Sequence, residues 1–412
     1  LLRIEKMKAS DRISNFRESV TLKMNAEVVK LQSMGQKVIN LTAGQLPFKP
    51  DFEFIKNIKQ ESNFLKSFQY SPVPGFPELR EKVKKWMGDE RRINFENSEV
   101  LISSGAKHVI ANVLCGLINP GDEVIIIAPF WVSYPAMINL YGGVVKIVGS
   151  DFYNHYSPDV EDIKSAITDK TKAIIINSPN NPVGTVYKNE WMRDFGNLMI
   201  SYPGISIISD EIYRELNYYD PGPTYFYQYD ESLLERTVII SGISKVMAST
   251  GLRIGWALGP IDFIKKISTL QGQTTSGANS LIQRALLNYD FTQLEEYLAP
   301  IKNHLRKNAN ILRDKLRENN LSHKWYQVDG AFYYLLDLKN LPVMENFSHG
   351  EDQGDYATEI CQKVLAEEGV ALVPGSDFGA PNTARLSLVA DNDVFSMAID
   401  SLIKCLLKKK VN

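Results

Sequence analysis

Val238-Ile239-Ile240-Ser241-Gly242-Ile243-Ser244-Lys245 is a β-branched run that breaks into small residues and then delivers a lysine. A short apolar run of this kind reads as a strand buried on both faces. Six further runs resemble it, at residues 99–103, 123–128, 144–148, 173–177, 205–209 and 254–258. Amphipathic stretches at 107–117, 132–140, 160–167 and 190–200 fall between them, and Asn119-Pro120-Gly121-Asp122 and Tyr141-Gly142-Gly143 punctuate the turns. The alternation predicts an α/β fold: a large domain with a mostly parallel seven-stranded sheet covered by helices. In open sheets of this sort ligands sit outside the carboxyl ends of the strands. Gly105, Asn181, Asp210 and Lys245 each end or follow an apolar run, so all four are expected at that edge.

Beyond about residue 290 the pattern changes. A long charged amphipathic stretch at 294–319 leads into short strands at 331–337, 371–374 and 385–389 and a final helix near 394–407. These form a smaller α+β domain made from the N- and C-terminal parts. The expected division is an arm and part of the small domain at 1–50, a large ligand-binding domain at 51–300, and the rest of the small domain at 301–412. Residues 11–33 read as an arm running into a helix stopped by Gly35 and packed on the C-terminal part, and the polar segment 345–354 as a loop excursion.

The 412 residues suffice for two domains sharing a large core. Apolar content of 44%, charged content of 23% and a net charge of -2 provide no field for nucleic acid or an anionic membrane. Lys408-Lys409-Lys410 is read as a solvated tail. Three widely spaced cysteines, Cys115, Cys361 and Cys405, argue against a disulfide framework and for a reducing, cytoplasmic setting. No run has the length of a membrane span. Leu1–Lys6 has neither an initiator Met nor a signal-type apolar core, so the natural start is expected to lie elsewhere.

The chemistry is read from four segments. Lys245 has small neighbours, and Arg253 follows eight residues later within Gly251-Leu252-Arg253-Ile254-Gly255. Such a pair suits a carbonyl cofactor bearing a phosphate, the amine condensing with the aldehyde and the guanidinium holding the dianion. Asp210, in Ser209-Asp210-Glu211-Ile212-Tyr213, can keep a pyridine nitrogen protonated, while a lone Asp at a strand end also reads as a helix cap. Tyr213 and Asn181, the latter in Asn180-Asn181-Pro182-Val183-Gly184, can donate to a phenolic oxygen, although Asn, Pro and Gly also simply make turns. Trp131 can stack on a ring or fill a core. Ser103-Ser104-Gly105-Ala106-Lys107 follows a strand and opens a helix, so the Gly105 and Ala106 amides can meet a phosphate, with Lys107 adding a cation. His108 has no partner at metal spacing and is read as structural, and no metal site is expected. Together, in this order and at strand ends, the segments point to pyridoxal 5'-phosphate.

The chain resembles the class I/II aminotransferases of fold type I over nearly its whole length. The resemblance is carried by Tyr70-Ser71-Pro72-Val73-Pro74-Gly75-Phe76, Asn181-Pro182-Val183-Gly184, Ser209-Asp210-Glu211-Ile212-Tyr213, Ser244-Lys245, Gly330-Ala331-Phe332-Tyr333 and Ala384-Arg385-Leu386-Ser387. It implies that Lys245 binds the cofactor and shuttles the proton, Asp210 faces the ring nitrogen, and Asn181 and Tyr213 contact the phenolic oxygen. It further implies that Arg253, Ser244, Gly105, Ala106 and Lys107 surround the phosphate, Trp131 stacks, and Arg385 clamps the substrate carboxylate beside Gly44. Family members are homodimers with shared active sites, so Tyr70 is expected to reach the partner's phosphate.

Within the family the chain is most similar to bacterial aspartate aminotransferases, which implies ping-pong transamination between an L-amino acid, aspartate or glutamate, and a 2-oxo acid such as 2-oxoglutarate or oxaloacetate. Lys107, assisted by Ser19 and Thr21, would meet the distal carboxylate, and Arg17 would serve a larger dicarboxylate such as prephenate. The usual Gly-Glu-Pro-Asp stretch is here Gly44-Gln45-Leu46-Pro47, beside the substrate. Alternatives are an aminotransferase for aromatic or other donors, a lyase on the same fold, and a non-catalytic cofactor-binding regulator.

Overall fold

The computed structural model describes residues 7–10, 13, 20–219, 222–346 and 355–409. The strands among them are β1 (Ile39–Asn40), β2 (Ser98–Ser103), β3 (Glu123–Ala128), β4 (Val144–Gly149), β5 (Thr171–Asn177), β6 (Ser206–Asp210), β7 (Thr237–Gly242), β8 (Gly255–Pro260), β9 (Tyr333–Asp337), β10 (Val370–Ala371), β11 (Val373–Pro374) and β12 (Thr383–Ser387). Strands β2 to β8 correspond to the seven apolar runs. They form one sheet in the order β2-β8-β7-β6-β5-β3-β4, parallel except for β8, which runs antiparallel to both β2 and β7.

Period-two alternation explains why this sheet is covered on both faces. Ile125, Ile127, Ile174, Ile176, Ile207 and Ile239 point into one core, while Val124, Ile126, Ile175, Ile208 and Ile240 point into the other. On the second face the helix Ala106–Leu117 contributes Val109, Ile110, Val113 and Leu114. The register pairs Asn177 with Asp210 and Asp210 with Ile240, so three adjacent parallel strands end together. Topology thus gathers residues far apart in sequence at one rim.

A three-stranded antiparallel sheet, β11-β12-β9, lies in the later part of the chain. Three sequence expectations shift here for physical reasons. β9 starts at Tyr333 rather than 331 because Ala331 adopts a left-handed φ of 54°, which interrupts extension. The 371–374 run divides at Leu372, one half pairing with β1 and the other with β12. The last strand ends at Ser387, and Leu388 and Val389 leave the sheet while remaining buried. Leu388 still donates its N–H to the Phe332 carbonyl at 2.9 Å, but the strand itself has ended.

The helix Val20–Ser33 stops at Gly35, whose φ is +82°, and packs Met24 and Val28 against Leu365 and Ala371. With β1 parallel to β10, the N-terminal segment joins the C-terminal part, as expected. The helix Leu294–Glu318 runs through residue 300, so the two sides of that position share one element. The expected loop at 345–354 falls largely on residues outside those described.

Behind the rim, Glu211 is fully buried and ion-paired with Arg91 at 2.7 Å, and it also accepts from the Ser209 hydroxyl at 2.9 Å and the Tyr227 hydroxyl at 2.8 Å. Its own N–H donates to the Ile240 carbonyl. Every strong acceptor on this carboxylate is served, so the turn after β6 is clamped in place.

Candidate active site

At the carboxyl ends of β2, β5, β6 and β7 a cavity of about 600 Å3 opens. Asp210, the last residue of β6, is buried and faces it. Its Oδ2 accepts from the Tyr134 hydroxyl at 2.6 Å and its Oδ1 from the Ile212 N–H at 3.3 Å, while Asn177 Nδ2 holds its backbone carbonyl at 2.8 Å. Burial pushes the Asp210 carboxyl up to about 6, against the pull of those two donors.

Lys245 sits on the short helix Ile243–Val246 directly after β7. Its ammonium donates to the Gly44 carbonyl and lies 5.8 Å from the Tyr213 ring and 5.7 Å from the Phe332 ring. The side chain opens into the cavity yet is enclosed by its walls. Burial first, then the charges of Arg385 and Arg253, pull its amine down to about 8.

On one side of Lys245 the helix Ala106–Leu117 begins without a side-chain cap, which leaves its first amides free of intrahelical acceptors. The Gly105 N–H is turned away to the Ser103 carbonyl at 2.8 Å, so the available amides are those of Ala106 and Lys107. Gly105 contributes its missing side chain instead. Its φ is +89°, and a Cβ there would stand 2.5 Å from Arg253 Nη2. Arg253 donates to the Thr250 carbonyl at 2.9 Å, and its guanidinium lies against this turn. Ser244 lines the same region. Trp131 also lines the cavity, with its indole edge-on to Tyr134 and the Lys107 ammonium 4.9 Å above it. Burial and the nearby Arg253 charge lower the Lys107 amine.

On the other side Arg385, from β12, is buried between the rings of Tyr333 at 4.6 Å and Phe378 at 4.9 Å. It donates to Asn181 Oδ1 at 3.1 Å and to the Thr42 carbonyl at 3.0 Å, and its Nε has no protein partner. Because Arg385 engages Asn181 Oδ1, the Asn181 amide nitrogen is the end left as a donor. Tyr213 lines the cavity and shares a 3.2 Å hydroxyl contact with Tyr333.

Most residues read from the sequence therefore meet in one place. Tyr70 does not, being 94% exposed and away from its own chain's cavity. Ser19 and Arg17 lie outside the described residues, and of Thr21 only its place in the helix Val20–Ser33 is described. Sequence reading missed Tyr134, three residues beyond Trp131 on the opening turn of a helix, and gave no role to Tyr333 within its own motif. Gln45, in the altered loop, lines the cavity and accepts from the Thr250 hydroxyl at 3.0 Å.

A half-buried lysine, a carboxylate held by a phenol, an uncapped helix start beside an arginine, and a guanidinium held against two rings at the cavity wall fit a phosphorylated pyridine aldehyde and an α-amino acid. The cavity is that of a pyridoxal phosphate enzyme. The chain belongs to the aminotransferase class I and II family, whose profile matches residues 36–402. It is 34% identical to an aspartate aminotransferase of Geobacillus stearothermophilus over 96% of this chain and 98% of that protein. It is 31% identical to an aspartate/prephenate aminotransferase of Thermus thermophilus over 96% of this chain and 98% of that one. Among solved structures, the Thermus thermophilus aspartate aminotransferase with maleate superposes with a TM-score of 0.86 at 29% identity, covering 97% of this chain and all of that one. The protein is thus a pyridoxal 5'-phosphate-dependent aminotransferase.

The depressed Lys245 amine makes a pH prediction. At pH 8 about half of it is neutral and nucleophilic, against about 0.3% for an unperturbed lysine. The folded chain binds fewer protons than the unfolded chain between about 8 and 10.5. This contribution to stability is therefore complete above 10.5 and lost as pH falls through 8. Capture of pyridoxal phosphate by cofactor-free protein should accelerate about tenfold per unit below pH 8 and flatten above it. A rate still climbing at pH 10 would contradict the shift.

Proposed function

We propose that the enzyme transfers the amino group of a dicarboxylic L-amino acid, aspartate or glutamate, to a 2-oxo acid such as 2-oxoglutarate. The observation that carries this reading is the charge set of the cavity. Its lining includes four cations, Lys107, Lys245, Arg253 and Arg385, and one carboxylate, Asp210. Arg253 and the Ala106 and Lys107 amides suit the phosphate, and the Arg385 guanidinium at the cavity wall suits an α-carboxylate. Lys245 is the amine that would bond the cofactor, and Asp210 would suit the ring nitrogen. Lys107 remains, desolvated over Trp131, as the cation for a second carboxylate. Maleate, present in the Thermus thermophilus structure, is itself a dicarboxylate.

When bound, the cofactor supplies an electron sink for charge left at the substrate Cα. Asp210 keeps the ring nitrogen protonated, with Tyr134 holding the carboxylate in line. Asn181 and Tyr213 donate to the phenolic oxygen. Arg385 and the Gly44 backbone would orient the carboxylate so that the Lys245 amine could take the Cα proton.

A second reading is favoured by the Lys107–Arg253 proximity: Lys107 supports only the phosphate, and the donor is aromatic or otherwise uncharged. Half-reaction rates with single amino acids separate the two. Lys107→Ala should slow the aspartate half-reaction about 10- to 100-fold, the loss of one charge-assisted hydrogen bond, and change phenylalanine by less than about threefold. Equal losses with both donors would remove the dicarboxylate assignment.

The functional unit we infer is a homodimer in the cytoplasm. Phe64, Leu65, Phe68 and Tyr70 form an exposed apolar stretch, 44% to 94% accessible, that a second subunit would cover. Tyr70 would then complete the partner's phosphate site. The three cysteines are unpaired, and among the described residues no helix is long and apolar enough to cross a membrane. We also infer that the early and late parts of the chain, through residue 50 and from 301, act as one small domain against the rest. Mixing Tyr70→Phe with Lys245→Ala subunits should yield one competent site per mixed dimer. No recovered activity would argue that each site is built from a single chain.

A further inference from the structure

We propose that Tyr333 is a positioning residue whose hydroxyl donates to Tyr213, setting how strongly Tyr213 donates to the cofactor's phenolic oxygen. The proposal rests on the reading that Tyr213 faces that oxygen. The two hydroxyls are 3.2 Å apart, on side chains that are both almost wholly buried. Tyr333 has little freedom to move: it opens β9, pairs in register with Ser387, and carries the Arg385 guanidinium on its ring at 4.6 Å. Tyr213 meets Tyr333 and Phe332 edge-on, at 5.9 Å and 5.6 Å between ring centres. Among the described residues the Tyr333 hydroxyl has no other hydrogen-bond partner.

In an isolated pair of phenols either can donate. An anionic oxygen in front of Tyr213 removes that choice. Tyr213 has one proton, which goes to the anion, so its own oxygen accepts from Tyr333. Hydrogen bonds in series polarise one another, which makes Tyr213 the stronger donor and the phenolic oxygen the weaker base. Burial keeps both phenols protonated at neutral pH. The same geometry ties both donors to one guanidinium: Asn181 touches Arg385 directly at 3.1 Å, and Tyr213 reaches it through Tyr333.

The test is a double-mutant cycle read by absorbance. The pH at which bound cofactor changes colour, without substrate, is measured for the parent, Tyr333→Phe, Tyr213→Phe and the double variant. Tyr333→Phe keeps the ring under Arg385 and deletes only the hydroxyl. It should raise that pH by about half a unit, Tyr213→Phe should raise it further, and adding Tyr333→Phe to Tyr213→Phe should change nothing more. A Tyr333→Phe shift that persists without the Tyr213 hydroxyl, or no Tyr333→Phe shift beside a clear Tyr213→Phe shift, overturns the proposal and leaves the reading of Tyr213 standing. No shift in Tyr213→Phe itself overturns both.

Discussion

Asp210 and Glu211 are neighbours, both buried, and the fold treats their charges in opposite ways. Glu211 turns into the core, where Arg91, Ser209 and Tyr227 satisfy it. Asp210 turns to the cavity with a phenol and one amide, and among the described residues no cation lies within ion-pair distance of it. An ionised carboxylate left this way is unfavourable, and burial accordingly raises its pKa to about 6. On the proposed reading, a bound group from outside the chain completes it. A protonated pyridine nitrogen is a cation of the right kind for that place, and the rest of the cavity is arranged around its arrival.

The same logic runs in reverse for the cations. Lys245 is shifted toward its neutral form by enclosure and by two arginines, so near pH 8 far more of the amine is nucleophilic than in an ordinary lysine. Arg385 is buried with Nη1 held by Asn181 and Nη2 by the Thr42 carbonyl, which fixes its guanidinium at the cavity wall. Arg253 is kept against the Gly105 turn because no side chain occupies that space. None of these groups has to rearrange far to bind an anion, which is what electrostatic preorganisation requires.

Much of this was legible in the sequence. The seven strands of the large sheet announce themselves because parallel strands covered on both faces are continuous apolar runs, and Asp210 and Lys245 stand at their ends. The small sheet is harder to read. Its strands are short, and apolar residues such as Val389 stay buried beyond the strand's end, so apolarity overstates the strand. The Gly105 amide misled for a related reason: sequence places a glycine at a helix start but does not say which way its N–H turns. Tyr134 and Tyr333 were hidden because their importance lies in contacts to Asp210 and Tyr213, 76 and 120 residues away. Tyr70 lies apart from its own chain's cavity, and the target proposed for it is in a second subunit.

The central claim is that a bound cofactor relieves the unpaired charge of Asp210. Thermal midpoints of the parent and Asp210→Asn, each with and without saturating pyridoxal phosphate at pH 8, test it directly. Without cofactor the amide should be no less stable than the carboxylate, since the raised acid pKa means that stability present below about 4 is lost as pH rises through 6. With cofactor the parent should gain clearly more than the variant. Equal gains in the two proteins would contradict the account.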